Sequence, residues 1–203
     1  MYAVMETFLE MNLSLYSSYT LDTTSLCPYT DGTSALYARW FADQELVNIM
    51  GDWDFYPLPY YEQTPEEYTK RTRCTTWLVC ASTDEEMIPI GYTGLYIQHR
   101  HRVGILRLAI AERAYRRQGH GKRALFLALK WAFVYLDLFA VHATTSAANT
   151  SAFNLCRSAG FRECGRRTLS RFSPEGRSDE ILMELLQEKW MRGPAGSKDC
   201  FVF

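Results

Sequence analysis

The sequence is poor in the features that would place it in a special class. Of its 203 residues only four are histidine, and 22 Lys and Arg nearly cancel 23 Asp and Glu, leaving a net charge of −1. No global field therefore recruits nucleic acid or an acidic membrane. The six cysteines (Cys27, Cys74, Cys80, Cys156, Cys164, Cys200) include no C-x-x-C pair and no metal-finger spacing. That excludes a zinc ribbon and points to free thiols in a reducing, cytoplasmic setting. No Lys or Arg precedes Arg39, so the chain opens without the basic n-region of a secretory signal. The longest apolar stretch, Ala124 to Val141, is interrupted by Lys130 and Asp137, each costing about 2.5–3.5 kcal/mol near a membrane-helix centre. It reads as a buried core helix. His99 and His101 alternate with Arg100 and Arg102, and flanking cations disfavour a metal ion, so no metal site is expected. There is no internal repeat and no low-complexity tract.

What remains is an ordinary globular proportion of hydrophobic residues, 47%. A chain this long buries roughly 70% of the surface its unfolded form exposes. Residues 1–190 read as one domain, with 1–18 as an N-terminal extension and 191–203 as a flexible C-terminal tail. Thr20 to Leu26 suits a first strand, and Ser34 to Met50 has helical spacing that Gly51 stops. After a Pro-broken aromatic loop, Thr64-Pro65-Glu66-Glu67 is a helix start, with Thr64 as N-cap and Glu67 three residues on. Thr75 to Ala81 and Ile88 to Gln98 flank a polar turn as a hairpin, and Val103 to Ala111 is a third run. A helix from Gly121 to Leu136 follows, then a strand at Ala140 to Thr145. Asn149 and Thr150 start a further helix that Gly160 ends, with Phe161 closing the cap. Cys164 to Phe172 and Ile181 to Gln187 form a last strand pair. The order is β-α-α-β-β-β-α-β-α-β-β, a mixed α/β fold.

Between the third run and its helix stands Arg116-Arg117-Gln118-Gly119-His120-Gly121-Lys122-Arg123. Backbone N–H groups at a helix N-terminus point outward unsatisfied, and the macrodipole adds positive potential there. Glycines let that backbone approach an anion, and the four basic residues supply countercharge. A tight strand-to-helix turn would use the same glycines. The turn fits neither G-x-x-x-x-G-K-[ST] nor G-x-G-x-x-G, since Ala124 stands where the last Gly would be.

The run from Leu106 to Leu125 resembles the acetyl-CoA motif of GNAT acetyltransferases, whose turn reads Q/R-x-x-G-x-G/A. From Leu106 to Glu188 the chain is similar to the RimJ/RimL and spermidine-acetyltransferase branch, through Asn149 to Phe161 and Gly176-Arg177-Ser178-Asp179. The resemblance implies the GNAT fold, a twisted central sheet that is mostly antiparallel, flanked by helices and splayed where pantetheine enters. It implies acetyl-CoA, or another acyl-CoA, as co-substrate. The pantetheine would lie along Leu108, Ala109 and Ile110, with the pyrophosphate on Arg116, Arg117, Gln118, Gly119, His120, Gly121 and Lys122. Asn149 matches a family residue that contacts the pantetheine arm, and it suits a plain helix N-cap equally well. The expected reaction moves an acetyl group to a primary amine in a ternary complex, with a small cationic amine as acceptor. A protein N-terminus or lysine is the alternative acceptor, and a non-catalytic acyl-CoA-binding module is the rival class. A homodimer and a carrier-protein acyl donor stay open.

An amine attacks a thioester only when neutral, and a Lys-like amine gives up about 4–5 kcal/mol to be neutral at pH 7. Glu112, at the end of the cofactor strand, is the candidate proton acceptor, unless it is a strand-end carboxylate paired with Arg113 or Arg116. The leaving thiolate needs a proton in return. Where the family has Tyr in an L-Y-E-x-x-G-F run, this chain has Cys156 in Leu155-Cys156-Arg157-Ser158-Ala159-Gly160-Phe161. Its reference pKa of about 8.5 would match a CoA thiolate better than that of Tyr. Three readings of Cys156 stand: proton donor, inert packing and acyl carrier. The loop holding Asp52, Trp53, Asp54 and Tyr56 combines aromatic faces with carboxylates, as an ammonium-bearing acceptor would need; it would equally serve as packing between two helices. His142 alternates out of phase with Val141 and Ala143 and is read on the far side of the sheet from the core helix, with the site itself as the alternative.

Overall fold

The computed structural model describes residues 20–28, 34–43, 45–47, 74–83, 86–173 and 176–193. One eight-stranded sheet organises them, in the order β1-β2-β3-β4-β5-β6-β8-β7. Its strands are β1 (Thr20–Leu21), β2 (Thr24–Pro28), β3 (Cys74–Ser82), β4 (Met87–Gln98), β5 (Val103–Ile110), β6 (Ala140–Ser146), β7 (Arg162–Ser173) and β8 (Gly176–Leu186). The helices are α1 (Ser34–Ala42), α2 (His120–Lys130), α3 (Thr150–Ser158) and α4 (Gln187–Arg192). Every neighbouring pair of strands is antiparallel except β5 and β6. The mixed, mostly antiparallel α/β fold expected from the sequence is the one formed. The helix expected at Thr64 lies outside the described residues.

Successive residues of a strand face opposite sides of the sheet, and the neighbours Leu26 and Cys27, or Val79 and Leu78, divide accordingly. Leu26, Val79, Ile90, Leu95, Val141 and Met183 join the core under α2. Cys27, Leu78, Cys80 and Tyr92 join a smaller core under Trp40 of α1. His142, between Val141 and Ala143 of the α2 core, therefore points to the α1 side, as its phase implied. Each fully buried Leu, Ile or Val contributes about 1.5–3 kcal/mol.

The local differences have local causes. The strand expected over Thr20 to Leu26 is a tiny hairpin instead, because Asp22 adopts a left-handed φ of 49° and returns β2 antiparallel to β1. Short polar side chains tolerate that region better than most. The helical spacing of Ser34 to Met50 stops at Ala42. Asp43 interrupts it, its Oδ1 accepting from the N–H groups of Glu45 at 3.0 Å and Leu46 at 3.4 Å, so the side chain starts a separate turn. The helix expected to reach Leu136 does so, but its last turn widens to a π-turn over Trp131–Tyr135, where the Leu136 N–H donates to the Trp131 carbonyl at 3.0 Å. None of the helices among the described residues is long and apolar enough to cross a membrane. At the other end, Met191 and Arg192 belong to α4, two residues into the segment expected to be a tail. The helix is held by buried Trp190, whose ring lies 5.9 Å from that of Phe126 and 5.5 Å from that of Phe133.

Candidate active site

The site begins where two strands part. β5 and β6 are paired over three residues each, ending with Ile105 opposite His142. Beyond that point Leu106–Ile110 stay bonded to β4 and Ala143–Ser146 to β8. Among the described residues no strand lies between their facing edges. Backbone N–H and C=O groups need partners when buried, and such a gap takes an extended, amide-bearing chain much as a sheet edge takes an added strand. Leu108, Ala109 and Ile110 lie on this open stretch, opposite Thr93, Tyr92 and Gly91 on their closed side. Gly91 is required there, since a Cβ would stand 2.1 Å from the Ala109 carbonyl oxygen.

The gap opens onto the start of α2. Gly119 caps that helix with φ 86°, and Arg117 also takes a left-handed φ, 63°. The N–H groups of Lys122 and Arg123 turn back to the Gly119 carbonyl at 3.0 and 3.1 Å. Those of Arg117, Gln118, Gly119, His120 and Gly121 meet no carbonyl among the described residues. A Cβ on Gly121 would lie 3.6 Å from Leu155 Cδ2 and 3.7 Å from Ile110 Cγ1, so β5, α2 and α3 converge at this glycine. Neighbouring N–H groups without a carbonyl partner, at a helix start beside the end of an open slot, suit a diphosphate attached to a thin arm.

The basic residues of the turn divide their work. Arg116 is structural: its Nε donates to the Ile110 carbonyl at 3.0 Å, one Nη to that of Ala111 at 3.0 Å, and the other to Glu45 at 3.2 Å. Arg123 bonds the Gln118 carbonyl at 3.1 Å and Asp22 at 3.0 Å. Arg117 and Lys122 are exposed and have no acidic partner among the described residues. They are the cations left over for an anion. Gln118 turns its amide to the Ala114 carbonyl at 2.5 Å. His120 contributes backbone only, because its ring is buried.

Glu112 follows β5 and is tied to α1. Its Oε1 accepts from Arg39 and from the Trp40 indole N–H at 2.7 Å, not from Arg113 or Arg116. Arg113 pairs with Glu45 at 2.6 Å and Asp43 at 3.4 Å. Asn149 caps α3, its Oδ1 accepting from the Ala152 N–H at 3.1 Å. The far end of α3 closes with Gly160 at φ 97° and the Phe161 N–H on the Cys156 carbonyl at 3.1 Å, the paired bonds of a Schellman cap. Cys156 packs half-buried against the α2 core, and burial pushes its thiol up to about 11. Asp52, Trp53, Asp54 and Tyr56 lie outside the described residues.

Sequence reasoning missed the contact between His120 and Thr24, whose side chains meet at 2.8 Å from 96 residues apart. Nothing local signals it. A polar Thr in a buried strand and a His at a helix start were its only traces.

The acetyltransferase (GNAT) domain family matches residues 26–162, which takes in the splayed strands, the cradle and α3. The fold is similar to a spermidine N-acetyltransferase from Vibrio cholerae, solved with CoA and spermine, at TM-score 0.71 and 20% identity over 85% of this chain and 100% of that one. It is similar too to a dodecameric structure of the Vibrio cholerae enzyme, at TM-score 0.70 and 20% identity over 85% of this chain and 98% of the other. The family match takes in two thirds of the sequence, and the chain belongs to the GNAT acetyltransferase family.

Proposed function

We propose that this protein transfers an acetyl group from acetyl-CoA to a primary amine of a small cationic acceptor. The observation that carries it is the parting of β5 from β6 directly onto the N–H groups of Arg117–Gly121, which meet no carbonyl among the described residues. The pantetheine arm would fill the gap and the pyrophosphate would sit on the cradle, with Arg117 and Lys122 offering countercharge. The amine nitrogen attacks the thioester carbonyl, the C–N bond forms, the C–S bond breaks, and the CoA thiolate leaves toward α3. We assign the proton for that thiolate to Cys156. The amine's own proton goes to water. Glu112 keeps its carboxylate in the tie to Arg39 and Trp40 and serves to hold α1 beside the site. A cationic acceptor is supported by the carboxylates and aromatic rings of Asp52, Trp53, Asp54 and Tyr56. It is supported too by the spermine held in one similar structure.

Two measurements test this reading. Gly121→Val adds a branched side chain at the start of α2, where its Cβ alone would be in van der Waals contact with Leu155 and Ile110 at 3.6–3.7 Å. Acetyl-CoA affinity is expected to fall at least about tenfold, roughly 1.4 kcal/mol, with the fold intact. Unchanged affinity by calorimetry would remove the turn as the pyrophosphate site. For the acceptor, thiol release from acetyl-CoA is followed over a panel of amines. Asp52→Asn combined with Asp54→Asn should raise KM for the best cationic amine about tenfold and leave acetyl-CoA binding alone. Wild-type kinetics in that double variant would show that the loop does not read charge. Binding without thiol release on any amine would make the protein an acyl-CoA-binding module.

A further inference from the structure

Helix α2 starts with a histidine whose ring turns away from the anion side. His120 is 5% exposed. Its Nδ1 lies 2.8 Å from the hydroxyl of Thr24, and its ring meets Tyr115 edge-on at 5.8 Å. Burial, then the charge of Arg123, lowers its affinity for a proton, so the ring stays neutral. Thr24 is fully buried at 0%. One residue on, Ser25 continues a polar thread, 3.0 Å from both Thr20 and Ser82 through their hydroxyls. A second tie runs parallel to the first. Asp22, at the left-handed turn between β1 and β2, accepts from Arg123 Nε at 3.0 Å, and the same guanidinium reaches the Gln118 carbonyl at 3.1 Å. Side chains of the β1–β2 hairpin thus hold the start of α2 at its first residue, His120, and at its fourth, Arg123.

We propose that Thr24 and His120 form a positioning pair, braced by Asp22 and Arg123, which aims the cradle's N–H groups at the diphosphate of acyl-CoA. The proposal rests on the cradle reading given above. Its physical content is a constraint on one dihedral neighbourhood. Arg117 and Gly119 both sit at positive φ, a conformation that costs about 1–3 kcal/mol for a non-glycine residue and persists only when its surroundings over-determine it. Arg116 fixes the loop from the β5 side. Thr24 and Asp22 fix it from the opposite side, through α2's first residue and fourth residue. Neither side chain touches the ligand; both act through backbone. Preorganised donors bind an anion more tightly because less freedom is lost on binding, so the pair governs affinity and leaves the chemical step alone.

The test is CoA titration of the full chain by calorimetry, with kinetics at saturating acetyl-CoA. Thr24→Val keeps the shape and removes the hydroxyl, leaving His120 Nδ1 unpartnered. CoA Kd and acetyl-CoA KM should rise about tenfold, with kcat within about twofold. Thr24→Ser restores the hydroxyl and should return Kd to within about threefold of wild type. Asp22→Asn, on an exposed side chain that does not threaten folding, should weaken CoA about threefold and carries the test if Thr24→Val does not fold. Gly121→Val serves as the reference. If it weakens CoA while Thr24→Val and Asp22→Asn do not, the positioning pair is overturned and the cradle stands. If neither Gly121→Val nor Thr24→Val weakens CoA, the cradle reading falls and takes this one with it. Equal weakening by Thr24→Val and Thr24→Ser also overturns it, because the hydroxyl would then not be the operative group.

Discussion

Cys156→Ala should lower kcat by about 10², at the low end of the range for a general acid, with acetyl-CoA affinity nearly unchanged. The direction follows from position. Cys156 lies in α3 at the position where the L-Y-E-x-x-G-F run of the resembling family has Tyr, and that position is what assigns it the thiolate's proton. The modest size follows from burial. On the reference value alone, the thiol would match a CoA thiolate closely. Burial lifts it to about 11 instead, so proton transfer to a thiol of reference pKa about 8.5 runs uphill by roughly 3 kcal/mol. The same shift bears on the acyl-carrier reading. At pH 7 about one molecule in 10⁴ would carry the thiolate, and the thiolate is the nucleophile. Cys156→Tyr should retain part of the rate if α3 accepts the ring, and Cys156→Ser should retain little. Wild-type kcat in Cys156→Ala, with the damage confined to stability, would reduce Cys156 to packing. A stable mass increase on incubation with acetyl-CoA alone would install the carrier instead.

The parts of this site that could be read in the sequence are those governed by local backbone chemistry. Gly119 had to be glycine-like for its φ of 86°. Asn149 and Gly160 mark the ends of α3 because caps are local events. Paired runs such as β3 and β4 announce themselves by a polar turn. What could not be read depends on residues far apart in the chain. The slot exists because β5 and β6 pair up to Ile105 and His142 and no further, and a pairing that stops leaves no mark on either strand's composition. The four basic residues Arg116, Arg117, Lys122 and Arg123 read in the sequence as one pool of countercharge. Folding divides them, since Arg116 finds the Ile110 and Ala111 carbonyls and Glu45, and Arg123 finds Asp22. In the sequence Glu112 reads as a proton acceptor or as a strand-end carboxylate paired with Arg113 or Arg116. Its partner is Arg39, 73 residues away, because the α1 side of the sheet places that helix over the end of β5.

Glu180→Ala should cost about 3 kcal/mol of folding stability at pH 7, the lower part of the range for breaking a buried ion pair. Glu180 is 5% exposed, on β8 opposite Ser146 of β6 and Arg167 of β7. Its carboxylate accepts from Arg167 at 2.8 Å and from Arg171, and Arg171 also donates to Thr144 at 2.9 Å. Arg171's side chain is 14% exposed whereas that of Arg167 is 64%. Loss of the carboxylate therefore strands one cation in the interior and releases the other to water, which is why the estimate sits at the low end. Burial alone would raise the Glu180 pKa. The charge of Arg171, with hydrogen bonds from Arg167, Thr144 and Arg171, outweighs it and holds the group below its ordinary 4.5. A carboxylate depressed on folding adds stability that is complete above the unfolded value and is lost as pH falls through the folded one. The gap between wild type and Glu180→Ala should therefore be full at pH 7 and shrink once pH drops below about 4.5. Denaturant unfolding at pH 7 and at pH 3.5 measures it; a gap of the same size at both would show that the contribution does not come from the ionised carboxylate, and no gap at pH 7 that the pair adds no net stability. Thr144 lies on the stretch of β6 beyond its pairing with β5, beside the open slot. A variant that loosens this cluster should weaken acetyl-CoA binding along with the fold, and it should do so without touching the cradle on the opposite wall.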